Sequence, residues 1–221
     1  MAYKSKYTSA EIENKLDLVY NKYFNPVVPD EPVEPEPLPL GVFIQHVDGS
    51  LYTADEWTAK GFASADANGV AVSAEECAFV IAKEAAVSKS WSTDSKNIVN
   101  GIVATNSEAV ALTDYLGEHN TTLMTATDTK YAGYYCANYT FPNGKKGYLA
   151  ALGEWKIVCQ NITDIDASFV LLGCGAISDK FFWSSTQYSS TEAWGVALWR
   201  KGYGEQNKGN SNSVLPFTTL D

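Results

Sequence analysis

Six of the chain's eight prolines lie within residues 25–40, and they divide the 221 residues into three parts. Proline fixes φ and lacks a backbone N–H donor, so neither a helix nor a sheet can continue through this segment. The segment also has four acidic residues and no Lys or Arg. We therefore expect an extended, semi-rigid spacer with a rise of about 3.1 Å per residue.

Residues 1–24, before the spacer, have the pattern of one short helix. Thr8 and Glu11 match a T-x-x-E capping box, in which each side chain satisfies a backbone donor at the helix start. Apolar residues then recur at helical spacing, at Ile12, Leu16, Val19 and Tyr23. A helix of this length is marginal alone, so the stripe must pack on its own domain, on copies of itself (for example in a homotrimer) or on a larger assembly. The spacer favours anchoring or oligomerisation over packing on its own domain.

Residues 41–221 have the pattern of a globular α+β domain. Asp48-Gly49, between two strand-like runs, predicts a hairpin with a type I′ turn, and residues 142–144 predict a further turn. Further strands are predicted at 70–73 and 78–83, in FFWSS, AWGVALW and VLPFTTL, and helices at 107–116, 129–139, 152–160 and 164–172. Strands, then helices, then strands again indicate an α+β architecture in which the first and last strands could pair.

Composition and charge exclude several classes of function. The net charge of −10 leaves no electrostatic footprint for nucleic acid. Apolar runs are far shorter than the roughly 18 residues of a membrane span, and the N-terminus lacks the apolar core of a secretory signal. Cys77, Cys136, Cys159 and Cys174 fit no zinc pattern. We therefore expect free buried thiols.

The sequence offers few residues in patterns that are typical of catalytic or metal sites. There is no GxSxG nucleophile motif, and Glu154-Trp155 fits a structural turn and a core anchor better than a catalytic pair. Four carboxylates could offer oxygen ligands to calcium, but solvated helix ends and caps are the preferred interpretation; they are Asp114, Glu118, Asp164 and Asp166. The sequence predicts no enzyme activity, no cofactor and no metal.

Residues 200–213, RKGYGEQNKGNSNS, have one aromatic and no aliphatic side chain, yet strand-like runs flank them. This predicts a surface loop presented by a rigid frame, a common setting for a binding site. A second polar run at 184–193 could share the same face. A merely solvated pair of loops is the alternative. Tyr188, Trp199 and Tyr203 are the candidate aromatic anchors, since aromatic rings among Ser, Gly and Asn are typical of binding loops.

Four strings together resemble the variable proteins of diversity-generating retroelements from gut Bacteroidales and their phages. They are CANYTFPNGKKGYLAALGEW at 136–155, FFWSSTQYSS at 181–190, AW at 193–194 and V-x-PF at 214–217. The resemblance covers residues 41–221 and implies a C-type lectin fold, a relative of the formylglycine-generating-enzyme fold, after the helix and the Pro-rich linker. In that family a reverse transcriptase mutates adenines while copying a template into the gene's 3′ end, and the altered side chains bind a changing target.

The resemblance implies a variable region at about 184–214, with frame residues that stay fixed and displayed residues that vary. The frame residues are Trp183, Ser184, Ser185, Trp194, Gly202, Lys208, Val214 and Phe217. The displayed residues are Tyr188, Thr191, Glu192, Gly195, Ala197, Trp199, Arg200, Lys201, Tyr203, Glu205, Gln206, Asn207, Asn210, Ser211 and Asn212. Ala150 replaces a usual Pro and Leu215 a usual Arg. The strand GVALW is one residue longer than the common pattern, which leaves the register of 195–201 open.

The function that this resemblance implies is binding to an unknown protein or glycan receptor on a cell surface. A phage tail component in the virion, attached to the tail or a surface assembly through the N-terminal helix, is the first expectation. A non-diversified adhesin on a bacterial cell surface is the alternative, and an enzyme of the formylglycine-generating type is a distant third.

Overall fold

The structure is a computed structural model that describes residues 8–23, 37–92, 98–127 and 131–220. The chain divides into two compact units, Met1–Leu38 and Pro39–Asp221. Most of the predicted spacer over residues 25–40 lies outside the described residues. Its last four residues, 37–40, are exposed and have no helix or strand.

The first unit contains helix α1, Ser9–Tyr23. Its capping box is confirmed: the Thr8 N–H donates to the Glu11 carboxylate at 2.8 Å, and the Glu11 N–H donates to the Thr8 hydroxyl at 3.3 Å. The described stripe residues Ile12, Leu16 and Val19 are exposed. Residues 1–7 and 24 of the predicted helix, and the side chain of Tyr23, lie outside the described part.

The second unit is an α+β domain with two sheets. The six-stranded sheet has the order β2-β1-β3-β4-β11-β6, in which every neighbouring pair is antiparallel. Its strands are β1 (Gly41–His46), β2 (Leu51–Tyr52), β3 (Ala67–Ser73), β4 (Ala78–Ala82), β6 (Tyr148–Leu149) and β11 (Pro216–Thr219). The prediction that the first and last strands pair is wrong, because β3 and β4 lie between β1 and β11.

The five-stranded sheet has the order β5-β10-β7-β8-β9. Its strands are β5 (Val87–Ser90), β7 (Phe181–Gln187), β8 (Glu192–Ala197), β9 (Gly202–Asn207) and β10 (Ser211–Val214). All neighbours are antiparallel except β10 and β7, which run parallel. Strand β9 is an edge strand, and β8 is paired on both sides.

The hairpin β1–β2 is confirmed, but the type I′ turn is wrong. Gly49 has a φ of 96°, whereas Asp48 does not, since Lys201 is the one non-glycine residue of the described chain with a positive φ. Four residues instead of two separate the strands, and the His46 N–H donates to the Ser50 carbonyl at 2.9 Å. The longer loop therefore needs one left-handed residue, which glycine supplies. The turn predicted at 142–144 is present, with the Gly144 N–H bonded to the Phe141 carbonyl.

Six α-helices accompany the sheets among the described residues of the second unit. They are α2 (Ala54–Lys60), α3 (Glu108–Ala111), α4 (Gly117–Thr127), α5 (Ala132–Asn138), α6 (Leu152–Gln160) and α7 (Ile162–Leu171). The predicted helices at 152–160 and 164–172 correspond to α6 and α7. The one predicted at 107–116 is only the four-residue α3, and α4 was not predicted. Of the helix predicted at 129–139, α5 is present, while 128–130 lie outside the described residues.

Trp155 of α6 joins the two sheets at the centre of the core. Its ring stacks on Phe182 of β7 with centroids 4.8 Å apart and lies 5.0 Å from Phe217 of β11. Its indole N–H donates to the Trp183 carbonyl at 3.1 Å. Glu154 beside it accepts from the Ala151 N–H at 2.6 Å and from the Tyr148 hydroxyl at 2.7 Å. The pair thus has the structural role that the sequence favoured.

Candidate ligand-binding face

The candidate binding segment, residues 184–214, folds into the five-stranded sheet. The polar stretch 200–213 was predicted to be a loop, and this prediction is wrong. It forms β9, a tight turn at Lys208–Asn210 and most of β10. The backbone groups of the stretch pair with β8 on one side and with β5 on the other. Strand pairing needs no apolar side chain, so an edge strand can be polar on its outer surface.

Seven of the eight frame residues are buried, and Gly202 is half-buried. Their polar atoms bond to backbone around the segment. The Trp183 indole donates to the Lys89 carbonyl at 2.9 Å, and the Ser184 hydroxyl donates to the Trp194 carbonyl at 2.8 Å. The Trp194 indole donates to the Thr105 carbonyl at 2.8 Å. These bonds connect β7 to β5 and to β8, and they connect β8 to the loop that contains Thr105.

Lys208 is a buried cation in the turn after β9. Its ammonium donates to the Gln187 side-chain oxygen at 2.9 Å and lies 4.6 Å from the centroid of the Trp91 ring. Its backbone N–H donates to the Thr191 carbonyl, and its carbonyl accepts from the Trp91 N–H, both at 2.9 Å. Burial lowers the pKa of Lys208 to about 8. This residue ties the β7–β8 turn and the β9–β10 turn to the chain after β5.

Gln187 is a functional neighbour that the sequence analysis did not single out. Its side chain is fully buried at the end of β7. Its oxygen accepts from the Val99 N–H at 2.9 Å, and its nitrogen donates to the carbonyls of Val99 and Ile102. No local pattern marks this residue, because its partners Val99 and Ile102 lie 88 and 85 positions away in the chain and Lys208 lies 21 positions away.

The displayed residues divide by exposure into three groups. Nine are exposed: Thr191, Trp199, Arg200, Lys201, Glu205, Gln206, Asn207, Asn210 and Ser211. Four are half-buried: Tyr188, Glu192, Tyr203 and Asn212. The remaining two, Gly195 and Ala197, are buried. The segment therefore presents most, but not all, of the side chains assigned to display.

The assignment of Gly195 and Ala197 to the displayed set is wrong. Both lie in β8, which is paired with β7 and with β9, and both of its faces are covered. A Cβ on Gly195 would lie 2.5 Å from the Phe182 carbonyl oxygen and closer still to the Phe181 ring. Neighbouring Trp194 and Val196 are buried as well. Neither register of this strand would present a side chain to a ligand.

Two of the three candidate anchors belong to a cluster around Trp194. Tyr188 meets the Trp194 ring edge-on with centroids 5.1 Å apart. Tyr203 packs in the same cluster and also beside Cys159, and burial raises the pKa of its hydroxyl. Both rings are half-buried. They offer an aromatic edge to a ligand, and they also support the frame.

Trp199, Arg200 and Lys201 form the tip of the β8–β9 hairpin, and we refer to these three residues as the hairpin tip. A 3-10 turn spans Leu198–Arg200, and Lys201 follows with φ 49° and ψ 41°. The Lys201 N–H donates to the Leu198 carbonyl at 3.1 Å. All three side chains are exposed, and the Trp199 side chain belongs to no apolar cluster of the described residues.

The cysteine side chains lie in surroundings that disfavour the thiolate form. All four cysteines are free thiols, with Cys136 and Cys159 buried and Cys77 and Cys174 half-buried. Burial raises the pKa of Cys77 to about 12 and that of Cys159 to about 11, which disfavours reactive thiolates.

Two of the four candidate calcium ligands form hydrogen bonds that fix loops. Asp114 accepts from Asn120 at 3.0 Å and from Thr186 at 2.8 Å, and Asp166 accepts from the Ile177 N–H at 2.8 Å. Within residues 8–23, 37–92, 98–127 and 131–220, no three His, Cys, Asp or Glu side chains are grouped so that they could hold a metal ion. Over the same ranges, no helix is long and apolar enough to cross a membrane.

Comparison with known proteins gives one structural likeness. No family model matches the chain, and no curated protein matches it. The crystal structure of a fimbrial protein from Bacteroides ovatus superposes with a TM-score of 0.57 at 12% identity. The match covers 81% of this chain and 48% of the fimbrial protein, so the chain spans about half the length of that protein. At this identity the likeness concerns the fold alone.

Proposed function

We propose that this protein is a non-enzymatic receptor-binding protein whose displayed residues vary between copies of its gene. In this proposal residues 41–221 are a C-type-lectin-fold domain, and the five-stranded sheet presents the binding face. The single observation that carries the proposal is the division of residues 183–217. Seven of the eight residues that the resemblance assigns to a fixed frame are buried, while thirteen of the fifteen assigned to display are exposed or half-buried.

This division matters because a diversified protein must tolerate many side chains at its binding positions. Exposed positions away from caps and special backbone usually change stability by within about 0.5 kcal/mol on substitution. Buried positions do not, since a core side chain cannot change volume without a cavity or a clash. A segment that alternates the two kinds of position can therefore change its ligand without losing its fold.

The proposal is tested at the level of the gene. Sequencing the 3′ end in a natural population of the source organism should show substitutions clustered at the codons of the thirteen accessible displayed residues, with an adenine-rich near-copy in the flanking DNA. Codons for Trp183, Gly195, Ala197 and Lys208 should be invariant. Substitutions spread evenly over buried and exposed codons would contradict the proposal.

A non-diversified adhesin on a bacterial cell surface is the second candidate, favoured by the likeness to a fimbrial protein. It predicts an invariant 3′ end with no near-copy. The two candidates also differ in location. A receptor-binding tail component, joined to its particle through α1 with the Pro-rich segment as spacer, should be found in purified virions of the host's prophage. An adhesin should be found on intact cells and be absent from virions.

A further inference from the structure

The six tryptophans of the chain have two very different environments. Five are buried, with at most 4% of the residue exposed: Trp57, Trp91, Trp155, Trp183 and Trp194. Trp199 is 58% exposed at the hairpin tip. Removing a large apolar ring from water is favourable, and tryptophan is enriched among the residues that dominate binding interfaces. An indole held out from the domain by a hairpin is therefore well placed to stack on a ligand.

Arg200 and Lys201 place two positive charges beside this ring. Neither has a carboxylate within 4.0 Å in the part of the chain that the structure describes. The Arg200 side chain lies over two glycines of β9: a Cβ on Gly202 would lie 3.1 Å from its Nε, and a Cβ on Gly204 would lie 3.8 Å from its Nη2. Its donors are thus available for bidentate binding to a planar or tetrahedral anion.

The backbone conformation of Lys201 is also unusual. Its φ of 49° lies in the left-handed region, where a residue with a Cβ carries a conformational cost that glycine avoids. Such strain at a non-glycine residue is often found at binding sites. In this chain the left-handed position is occupied by a lysine, so the turn that closes the hairpin also places an ammonium group beside Arg200.

The charge of the whole chain limits the ligand that this tip can accept. The net charge is −10, so a long polyanion such as a nucleic acid or a broad acidic protein surface would meet repulsion beyond the tip. A ligand with one or two negative charges and a small footprint avoids that repulsion. An acidic sugar meets this condition, and it also has an apolar C–H face that can stack on an indole ring.

We propose that the hairpin tip binds a single acidic sugar residue of a surface glycan. The pyranose ring stacks on Trp199, and its carboxylate or sulfate accepts hydrogen bonds from Arg200 and Lys201. This inference rests on the proposed receptor-binding function and names the chemical class of its ligand. The site needs no metal ion, because the two cations supply the charge.

Tryptophan fluorescence of the full chain gives a direct assay, because Trp199 is the one exposed tryptophan. Four probes are titrated: a hyaluronan tetrasaccharide with carboxylates only, a chondroitin sulfate tetrasaccharide, neutral chitotetraose and a hexaglutamate peptide. The proposal expects the acidic sugars to change the fluorescence and to bind about tenfold or more tightly than chitotetraose. The ratio between the two acidic sugars then distinguishes carboxylate from sulfate as the preferred anion.

Four variants connect the signal to the tip. Trp199→Ala should abolish both the fluorescence change and sugar binding, the latter measured by calorimetry. Arg200→Gln with Lys201→Gln should reduce the affinity for acidic sugars to that for chitotetraose. Lys201→Gly should weaken binding while the melting temperature stays equal or rises, which separates the ligand contact from the fold. Lys60→Gln, an exposed cation on α2, is the matched control and should bind as the parent does.

Three outcomes would overturn the inference. The first is tighter binding of hexaglutamate than of either acidic sugar, which would indicate a protein partner. The second is equal affinity for acidic and neutral sugars, and the third is sugar binding that survives in the Trp199 and Arg200/Lys201 variants. The absence of binding with all four probes would overturn the inference as well. None of these outcomes bears on clustered variation in the gene, so a failure here is distinguishable from a failure of the proposed function.

Discussion

Strands β7 and β9 both pair with β8, yet they differ in burial. Six of the seven residues of β7 are buried, while β9 has no buried residue. Strand β7 lies between β10 and β8, with Trp155 stacked on its Phe182, whereas β9 is the edge of the sheet. The difference shows that position in the sheet decides which strand is buried and which is exposed.

The largest contrast between the two strands should appear in a pair of tryptophan substitutions. Trp183→Ala in β7 removes a fully buried ring with a bonded indole, and it should lower the free energy of unfolding by about 3–5 kcal/mol. Trp199→Ala before β9 should change it by within about 0.5 kcal/mol. Urea unfolding followed by circular dichroism measures both. Equal losses would show that the hairpin tip is part of the core.

The support behind β7 should also be sensitive to pH. Burial raises the pKa of Glu154 from 4.5 in the unfolded chain to about 8 in the fold. Between these values the folded state holds a proton that the unfolded state releases. Stability should therefore be highest below pH 4.5 as far as this group is concerned, and fall by on the order of a few kcal/mol as the pH rises to 8. Thermal melts at pH 5 and pH 8 measure the slope, and Glu154→Gln should flatten it. A parental slope that persists in this variant would show that other groups cause it.

A cross-strand glycine pair offers a matched test within β8 and β9. Gly195 lies directly opposite Gly204. Gly195→Ala should cost about 1–3 kcal/mol, because its Cβ would overlap the Phe182 carbonyl and the Phe181 ring. Gly204→Ala should be nearly neutral, since its Cβ would meet only the end of Arg200 at 3.8 Å. Comparable melting temperatures for both variants would mean that position 195 tolerates variation after all.

The smallest effect is expected on the outer part of β9. Replacing Glu205 and Gln206 together by alanine removes two exposed side chains and should change the free energy of unfolding by within about 0.5 kcal/mol per site. Chemical denaturation gives this value. A loss of several kcal/mol would show that β9 contributes to the frame.

Local pattern predicted the elements whose own residues carry the signal. Helices α6 and α7 have apolar residues at helical spacing, and β3 and β4 are runs of Val, Ala, Ile and Phe. Helix α4, by contrast, has four threonines and one asparagine among its eleven residues, and both types have modest helix propensity. It forms because distant groups hold it: the Thr121 hydroxyl accepts from the Leu149 N–H at 2.8 Å, and Asn120 donates to Ser185 at 3.2 Å. Such partners cannot be read from neighbouring residues.

Like the secondary structure, the candidate site was predicted only in part from the sequence. The resemblance assigned Lys208 to the fixed frame, and the structure buries this side chain inside a polar stretch. The resemblance failed at Gly195 and Ala197, since a motif fixes positions along the chain but not which strands cover them. Composition predicted a loop at 200–213, and this prediction is wrong. Polar residues indicate that a segment is exposed, but they do not indicate whether its backbone pairs with neighbouring strands. Strand β9 is both exposed and regular.

The parallel pairing of β10 with β7 has a consequence for engineering. Ser213 is the register partner of Phe182, so the segment 183–212 begins and ends at adjacent positions of the five-stranded sheet. Chain segments whose ends already meet impose little closure cost when their length or content changes. Residues 183–212 can therefore be regarded as an exchangeable segment whose two ends are held together by the pairing of β7 with β10. We expect that a whole segment from a related protein, transplanted with its own buried residues, would carry its specificity to this domain as a unit.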